Sequence, residues 1–185
     1  MTRIALPALV LVFAVFVAAP MAAREHKGEK PWGLCGKTVE YDDLVGVYTM
    51  TLGSSRLTAP GFPGMTRATH DVLTATLAVV GKKLTLTATN VDATLELAAR
   101  DEPDWRWSDR LAGVSSKDLE LVLDCGVNHF PRLVGSGSGR SAEGYPLRYT
   151  FRLIALEKGW LFGQMQWHAR GMTMTRSLDL QAQSE

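Results

Sequence analysis

The sequence predicts an all-β protein, an antiparallel up-and-down β-barrel of about eight strands. Two observations predict it. In residues 146–180, three runs of alternating polar and apolar residues are joined by short glycine-containing turns at 157–159 and 170–171. Further runs upstream alternate in the same way, and no segment has a convincing helical period. A β-sandwich or a half-open barrel would also satisfy this pattern.

The N-terminal segment, residues 1–23, is predicted to be a secretory signal peptide. Arg3 supplies a positive charge, residues 4–19 are almost unbroken apolar sequence, and small residues up to Ala23 form a cleavage site. An uncleaved anchor is the alternative. No second long apolar run follows, so we expect no transmembrane segment after signal cleavage and a periplasmic or secreted location.

The remainder divides into a polar N-terminal arm, residues 24–43, and a β-barrel domain, residues 44–185. Before the final three strands, alternation predicts strands at 44–52, 71–80, 84–89, 93–99, 118–125 and, weakly, 127–134. Turn-forming residues predict loops at 53–70, 100–116 and, as a flexible Gly/Ser loop, 135–144. Threonine fills outward positions of the second and third strands, which suits a pleated surface.

The chain has two cysteines, Cys35 and Cys125. An even number of cysteines in an exported protein indicates a disulfide bond, which would staple the arm to the barrel. Two free thiols are the alternative.

Charge and motifs exclude several functional classes. Lys plus Arg is 20 against 19 for Asp plus Glu, so nucleic acid is not an expected partner. There is no Gly-x-Ser-x-Gly elbow, no helix is expected after the glycines at 135–139 to make a phosphate loop, and the four histidines lack metal-ligand spacing. We expect no cofactor and no metal, and more readily a binding protein than an enzyme. A catalytic site assembled from distant residues is the alternative, and no protein partner is identified.

The inward faces of the strands supply candidate ligand contacts. A barrel of about eight strands is either filled by its side chains or holds one small ligand. Methionine and aromatic side chains adapt to varied apolar ligands. The candidates for lining such a site are Tyr48, Met50, Tyr149, Phe151, Met165, Trp167 and Met174. Trp105 and Trp107, in a predicted loop, would suit a binding mouth.

Arg176 falls on the apolar face of the last strand. A buried charge needs partners, and one solution is a cation–π contact with an aromatic ring of the first strand, where Tyr48 faces inward. The alternative is that Arg176 reaches water at the barrel rim.

With Gly46, Tyr48 and Arg176, the chain resembles the calycin group, the lipocalins and avidins. Those families carry Gly-x-Trp on the first strand and an Arg or Lys near the last strand that packs across it at the closed end; here Tyr48 replaces the Trp. The resemblance implies a cup-shaped barrel for a small, largely apolar ligand, with Arg176 in a structural role at its floor. The alternatives are a filled structural or interaction module acting through its loops, and an enzyme at the barrel mouth.

Overall fold

The computed structural model of the chain describes residues 33–99 and 116–183. The predicted signal peptide, Trp105 and Trp107 lie outside these residues. The described part contains an α-helix, α1 (Ser116–Leu123), and the 3₁₀ helices Tyr41–Leu44 and Val127–His129. Its strands are β1 (Gly46–Ala59), β2 (Phe62–Arg67), β3 (Asp71–Val80), β4 (Lys83–Ala88), β5 (Val91–Leu97), β6 (Arg132–Arg140), β7 (Pro146–Glu157), β8 (Trp160–Ala169) and β9 (Met172–Ala182). Within these same residues, no helix has the length and apolar character needed to cross a membrane.

Eight of the strands close into an antiparallel barrel. Each strand from β3 to β9 pairs with the next, and β9 pairs with β1, which pairs with β3 on its other side. Closure removes the free edges that an open sheet would expose. The additional strand, β2, pairs with the second half of β1. The predicted up-and-down barrel is confirmed, and the sandwich and half-open alternatives are wrong.

The barrel interior is filled by the inward-facing residues of its strands, because successive side chains of a strand point to opposite faces. Burying a large aliphatic side chain contributes about 1.5–3 kcal/mol, so this interior is the main source of stability. Its fully buried members include Met50, Leu77, Leu84, Leu86, Leu95, Leu133, Phe151, Leu153, Leu161, Leu178 and Leu180.

The strands are staggered around the barrel. The pairing register can be followed once around the barrel, from Leu57 of β1 to its partner on β9 and then from strand to strand back to β1. The path returns to β1 at Gly46, eleven residues before Leu57. Such a stagger accompanies tilted strands. As a consequence the ends of the barrel are cut obliquely.

The predicted strand at 118–125 is wrong, because most of it forms helix α1. The alternating leucines there stand among Lys117, Glu120 and other strong helix formers, and helix propensity prevails. The segment that includes α1 packs on the outer surface of β7. The cluster it forms there consists of Leu123, Cys125, Val127, Phe130, Ile154 and Leu156.

The predicted disulfide is present between Cys35 and Cys125, with their Cα atoms 6.3 Å apart. It joins the turn at residues 33–36 to the chain just after α1. Backbone hydrogen bonds reinforce the attachment, from Leu34 N–H to the Leu156 carbonyl at 2.9 Å and from Gly36 N–H to the His129 carbonyl at 2.8 Å. The predicted arm is therefore attached to the barrel at Cys35.

The predicted flexible loop at 135–144 is also wrong over most of its length, since residues up to Arg140 belong to β6. Gly135, Gly137 and Gly139 face inward and allow β5 to approach closely. A Cβ atom on Gly137 would lie 2.2 Å from the Asp92 carbonyl oxygen, and one on Gly139 would lie 2.0 Å from that of Asn90. These glycines are required by packing rather than by flexibility.

The region 53–70, predicted as a loop, mainly forms the β1–β2 hairpin. β1 continues beyond Leu52 through a bulge that shifts its register before Ser55. A Cβ atom on Gly53, within the bulge, would lie 2.2 Å from the Ser177 hydroxyl oxygen of β9. A side chain at this position would require the Ser177 hydroxyl to move, and the bulge carries the hairpin past Asp71, where β3 begins.

Candidate functional site

One end of the barrel, which we call the closed end, is tied to the segment that precedes β1. Leu44, in the 3₁₀ helix Tyr41–Leu44, is fully buried, and its carbonyl oxygen accepts a hydrogen bond from the Tyr48 hydroxyl at 2.8 Å. The hydroxyl oxygen of Tyr41 accepts a hydrogen bond from the backbone N–H of Leu97, the last residue of β5, at 3.1 Å. These bonds hold the helix against the barrel end.

At the opposite end, which we call the open end, short connections at 89–90, 141–145 and 170–171 join the strands. β1 pairs with β3 up to Leu52 and with β2 from Ser55 onward. One side of the open end is therefore taller than the other. This tall wall consists of β2, the second half of β1, the first half of β9 and the second half of β8.

Apolar side chains line the inner face of the tall wall and of the neighbouring strand β7. The pairing register places five of them side by side, and we call this set the apolar row: Met65, Leu57, Met174, Trp167 and Tyr149. Exposure falls from 54 % at Met65 to 6 % at Tyr149, and the three residues between them are half-buried. An apolar surface continuous with the barrel interior thus meets solvent at the open end.

The predicted ligand-lining residues divide into two groups. Tyr149, Trp167 and Met174 belong to the apolar row. The others lie in the buried interior: Tyr48, Met50, Phe151 and Met165. Leu57 and Met65 were missed because their segment contains many turn formers and was predicted to be a loop. The alternation of Leu57 with its neighbours would have been the signal for a longer β1.

Tyr149 and Phe151 lie two positions apart on β7, with ring centroids 6.2 Å apart and planes inclined by 30°. Burial raises the pKa of Tyr149 and the pKa of Tyr48 above their ordinary value. Both hydroxyls are therefore protonated at neutral pH and can donate a hydrogen bond.

Arg176 faces inward on β9 and is 9 % exposed. Its guanidinium group is held by one carboxylate, one hydroxyl and two backbone carbonyls. Nε donates to the Gly53 carbonyl oxygen at 3.0 Å, Nη1 to Asp71 Oδ2 at 2.5 Å, and Nη2 to the Leu52 carbonyl oxygen at 2.9 Å and Thr69 Oγ1 at 3.0 Å. The side chain joins the β1 bulge to the start of β3, so the hairpin and barrel are held together at the open end.

The expectation that Arg176 packs over Tyr48 at the barrel floor is wrong. Arg176 is paired with Ser55, whereas Tyr48 is paired with Ala182. Seven residues of extended strand separate Ser55 from Tyr48, or roughly 20 Å. The charge is satisfied by carbonyl oxygens exposed at the bulge, which the sequence pattern did not reveal.

The Arg176 contacts lead to a stability prediction. Arg176→Lys is expected to lower the free energy of unfolding by about 2 kcal/mol, because an ammonium cannot reach all four acceptors together. Asp71→Asn is the control and should cost under about 1 kcal/mol, because the Asp71 side chain is 56 % exposed. Urea denaturation measures both. Equal losses would show that the ion pair, not the carbonyl contacts, dominates.

The outer surface of the barrel has its own concavity, a trench of about 620 Å³ above the Gly/Ser strand β6. Its walls are mainly polar and outward-facing, and include Asp92, Thr94, Ser136, Ser138, Arg148, Thr150 and His168. The trench arises because the serine and glycine residues of β6 have short side chains or none, so this strand projects less from the outer surface than its neighbours. Tyr149 of the apolar row and its neighbours Ala93 and Gly137 also border this trench.

Comparison with protein-family models, curated proteins and solved structures found no significant match to this chain. Within the described ranges, no three His, Cys, Asp or Glu side chains come together in a way that could hold a metal ion. The apolar row is therefore characterised by its own geometry alone.

Proposed function

We propose that this chain is an exported, non-enzymatic binding protein that holds a small, largely apolar ligand at the open end of its barrel. The apolar row is the observation that carries the proposal. A half-buried Trp, Met and Leu at the entrance of an otherwise buried interior offer a ligand apolar contact without disturbing the core. Thioether and indole groups accommodate different ligand shapes.

The packed interior supports a binding position near the entrance rather than deep in the barrel. Met50 and Phe151 are fully buried and in contact with the leucine-rich core. In this proposal they form the floor beneath the ligand. Trp167, Met174 and Leu57 form its side, and Tyr149 lies at the inner end of the apolar row.

Export is supported by the disulfide bond and by the signal-peptide pattern of residues 1–23. Stable disulfides belong to oxidising compartments such as the periplasm or the extracellular space. We also propose that the chain is related to the lipocalins and avidins. The closed eight-strand barrel is compatible with it, whereas Arg176 has other partners than those families would imply.

Binding of the apolar fluorophore N-phenylnaphthylamine tests the proposal. The wild-type protein is expected to enhance its fluorescence saturably, and Trp167→Ala should weaken binding by about tenfold because an indole at the centre of a site is a dominant contact. Val72→Ala, an exposed apolar position on the outer face of β3, is the matched control and should bind as wild type. Absence of wild-type binding, or equal affinity of the two variants, would contradict the proposal.

A second candidate is an interaction module acting through its loops, with the barrel as a filled support. The observation that favours it is the exposure of Phe62 and Met65, 50 % and 54 %, on β2. Among the described residues β2 has a strand partner on one side, so its other edge is open to pairing with another chain. Failure of the fluorophore to bind wild type would favour this candidate.

A further inference from the structure

Three tyrosines lie in the barrel or against its closed end, and their hydroxyls differ in hydrogen bonding. The hydroxyl of Tyr48 donates to Leu44, and that of Tyr41 accepts from Leu97. Tyr149 is 6 % exposed, yet in residues 33–99 and 116–183 its hydroxyl has no hydrogen-bond partner. Its oxygen is not enclosed and retains contact with solvent. Because its oxygen reaches solvent, this hydroxyl can donate a hydrogen bond to a bound molecule in place of water.

The ring of Tyr149 is directed towards the open end. Its neighbour on β6 in the pairing register is Gly137, but a Cβ atom on Gly139 would lie 2.8 Å from Tyr149 Cε2. Gly139 is two residues nearer to the open end, where β6 ends at Arg140. The absence of a side chain at Gly139 gives the ring its place. Phe151 on the other side limits its movement, so the hydroxyl is held at the inner end of the apolar row.

Charged side chains of both signs surround the open end on the side of Tyr149. Arg170, in the β8–β9 turn, lies over the Tyr145 ring at 3.8 Å, and Arg140 donates to the Gly144 carbonyl oxygen at 3.1 Å. The carboxylate of Asp71 is bound by Arg176. Arg140 and Arg170 thus stand on the side of the entrance where Tyr149 lies, and the exposed Glu143 lies in the same connection as Gly144.

We propose that the Tyr149 hydroxyl donates a hydrogen bond to a single carbonyl or carboxylate oxygen of the ligand, whose apolar body contacts Trp167, Met174 and Leu57. This inference rests on the proposed function and names its ligand class, an apolar chain or ring system with one oxygen acceptor. A hydrogen bond of this kind is worth about tenfold in affinity at the upper end of the usual range. Tyr149 is then the residue that distinguishes such amphiphiles from plain hydrocarbons.

Displacement of N-phenylnaphthylamine by laurate, methyl laurate and dodecane tests this. The wild-type protein is expected to prefer laurate, methyl laurate or both over dodecane by about tenfold. In Tyr149→Phe that preference should disappear while dodecane binding is unchanged. Tyr48→Phe, whose hydroxyl is bonded at the closed end, is the control and should keep the preference.

The outcomes separate the two proposals. Fluorophore binding with the same preference in Tyr149→Phe as in wild type would overturn the role of Tyr149 and leave the apolar site standing. No fluorophore binding to the wild-type protein would overturn the site itself. A preference for laurate over methyl laurate would identify a carboxylate as the ligand's acceptor, and equal competition by the two would identify a carbonyl.

Discussion

Removal of the Cys35–Cys125 disulfide is expected to lower the free energy of unfolding by about 4 kcal/mol. The bond closes a loop of 90 residues, and a cross-link over a long loop restricts the unfolded chain most strongly. It also holds the residues around α1 against β7, where Ile154 and Leu156 would otherwise be uncovered. The barrel itself should remain the native structure because its interior cluster does not include the cysteines.

The measurement is denaturant unfolding of the double variant Cys35→Ala/Cys125→Ala. Wild-type protein unfolded in the presence of a thiol reductant is the control, because it loses the same bond without a change of side chain. Both should show a similar loss. A double variant within about 1 kcal/mol of the oxidised wild type would contradict the role given to this staple.

Replacement of Gly137 by alanine is expected to destabilise the barrel by about 3 kcal/mol, the upper end for overpacking in a core. The new Cβ atom would lie 2.2 Å from the Asp92 carbonyl oxygen and 2.8 Å from the Ala93 Cα atom. Both are backbone atoms of β5, so relief requires the two strands to move apart. That movement would weaken their ladder in the middle of the closed sheet.

Ser138→Ala is the matched control, since Ser138 is the next residue of β6 and its side chain is exposed on the outer face. It should change the free energy of unfolding by less than about 0.5 kcal/mol. Thermal and urea denaturation of the two variants measure the difference. Equal stability of both would show that β6 tolerates inward side chains and that its glycines have another cause.

The strands with regular alternation and short turns could be predicted from the sequence. The final three runs form β7, β8 and β9, and three earlier ones form β3, β4 and β5, nearly at the predicted bounds. Their period of two residues follows from strand geometry and one buried face, so it depends little on which strands become neighbours.

Three segments could not be predicted in this way because their conformation depends on what packs against them. A glycine- and serine-rich composition normally indicates a loop, yet β6 lies between β5 and β7, where only glycine fits at Gly137. The β1–β2 hairpin depends on Arg176, which donates to the carbonyls of Leu52 and Gly53 at the bulge. Apolar and polar residues alternate in the α1 segment as they do in a strand. The segment has no neighbouring strand to pair with its backbone N–H and C=O groups, and in a helix these groups pair with one another.

The candidate site was predicted only in part for the same reason. The alternation of side chains along each strand identified Tyr149, Trp167 and Met174 as inward-facing. It does not indicate how deep in the barrel an inward-facing side chain lies. It could not separate these entrance residues from Met50 or Phe151 in the packed interior.

By itself, then, the amino-acid order determined the all-β class, the faces of the regular strands and the pair of cysteines that join. These follow from local periodicity and from a count of residues. Only the tertiary structure decided which end is open, where Arg176 finds its acceptors, and which apolar residues reach solvent. Those properties arise from strand stagger and from contacts between residues far apart in the chain, and no local pattern encodes them.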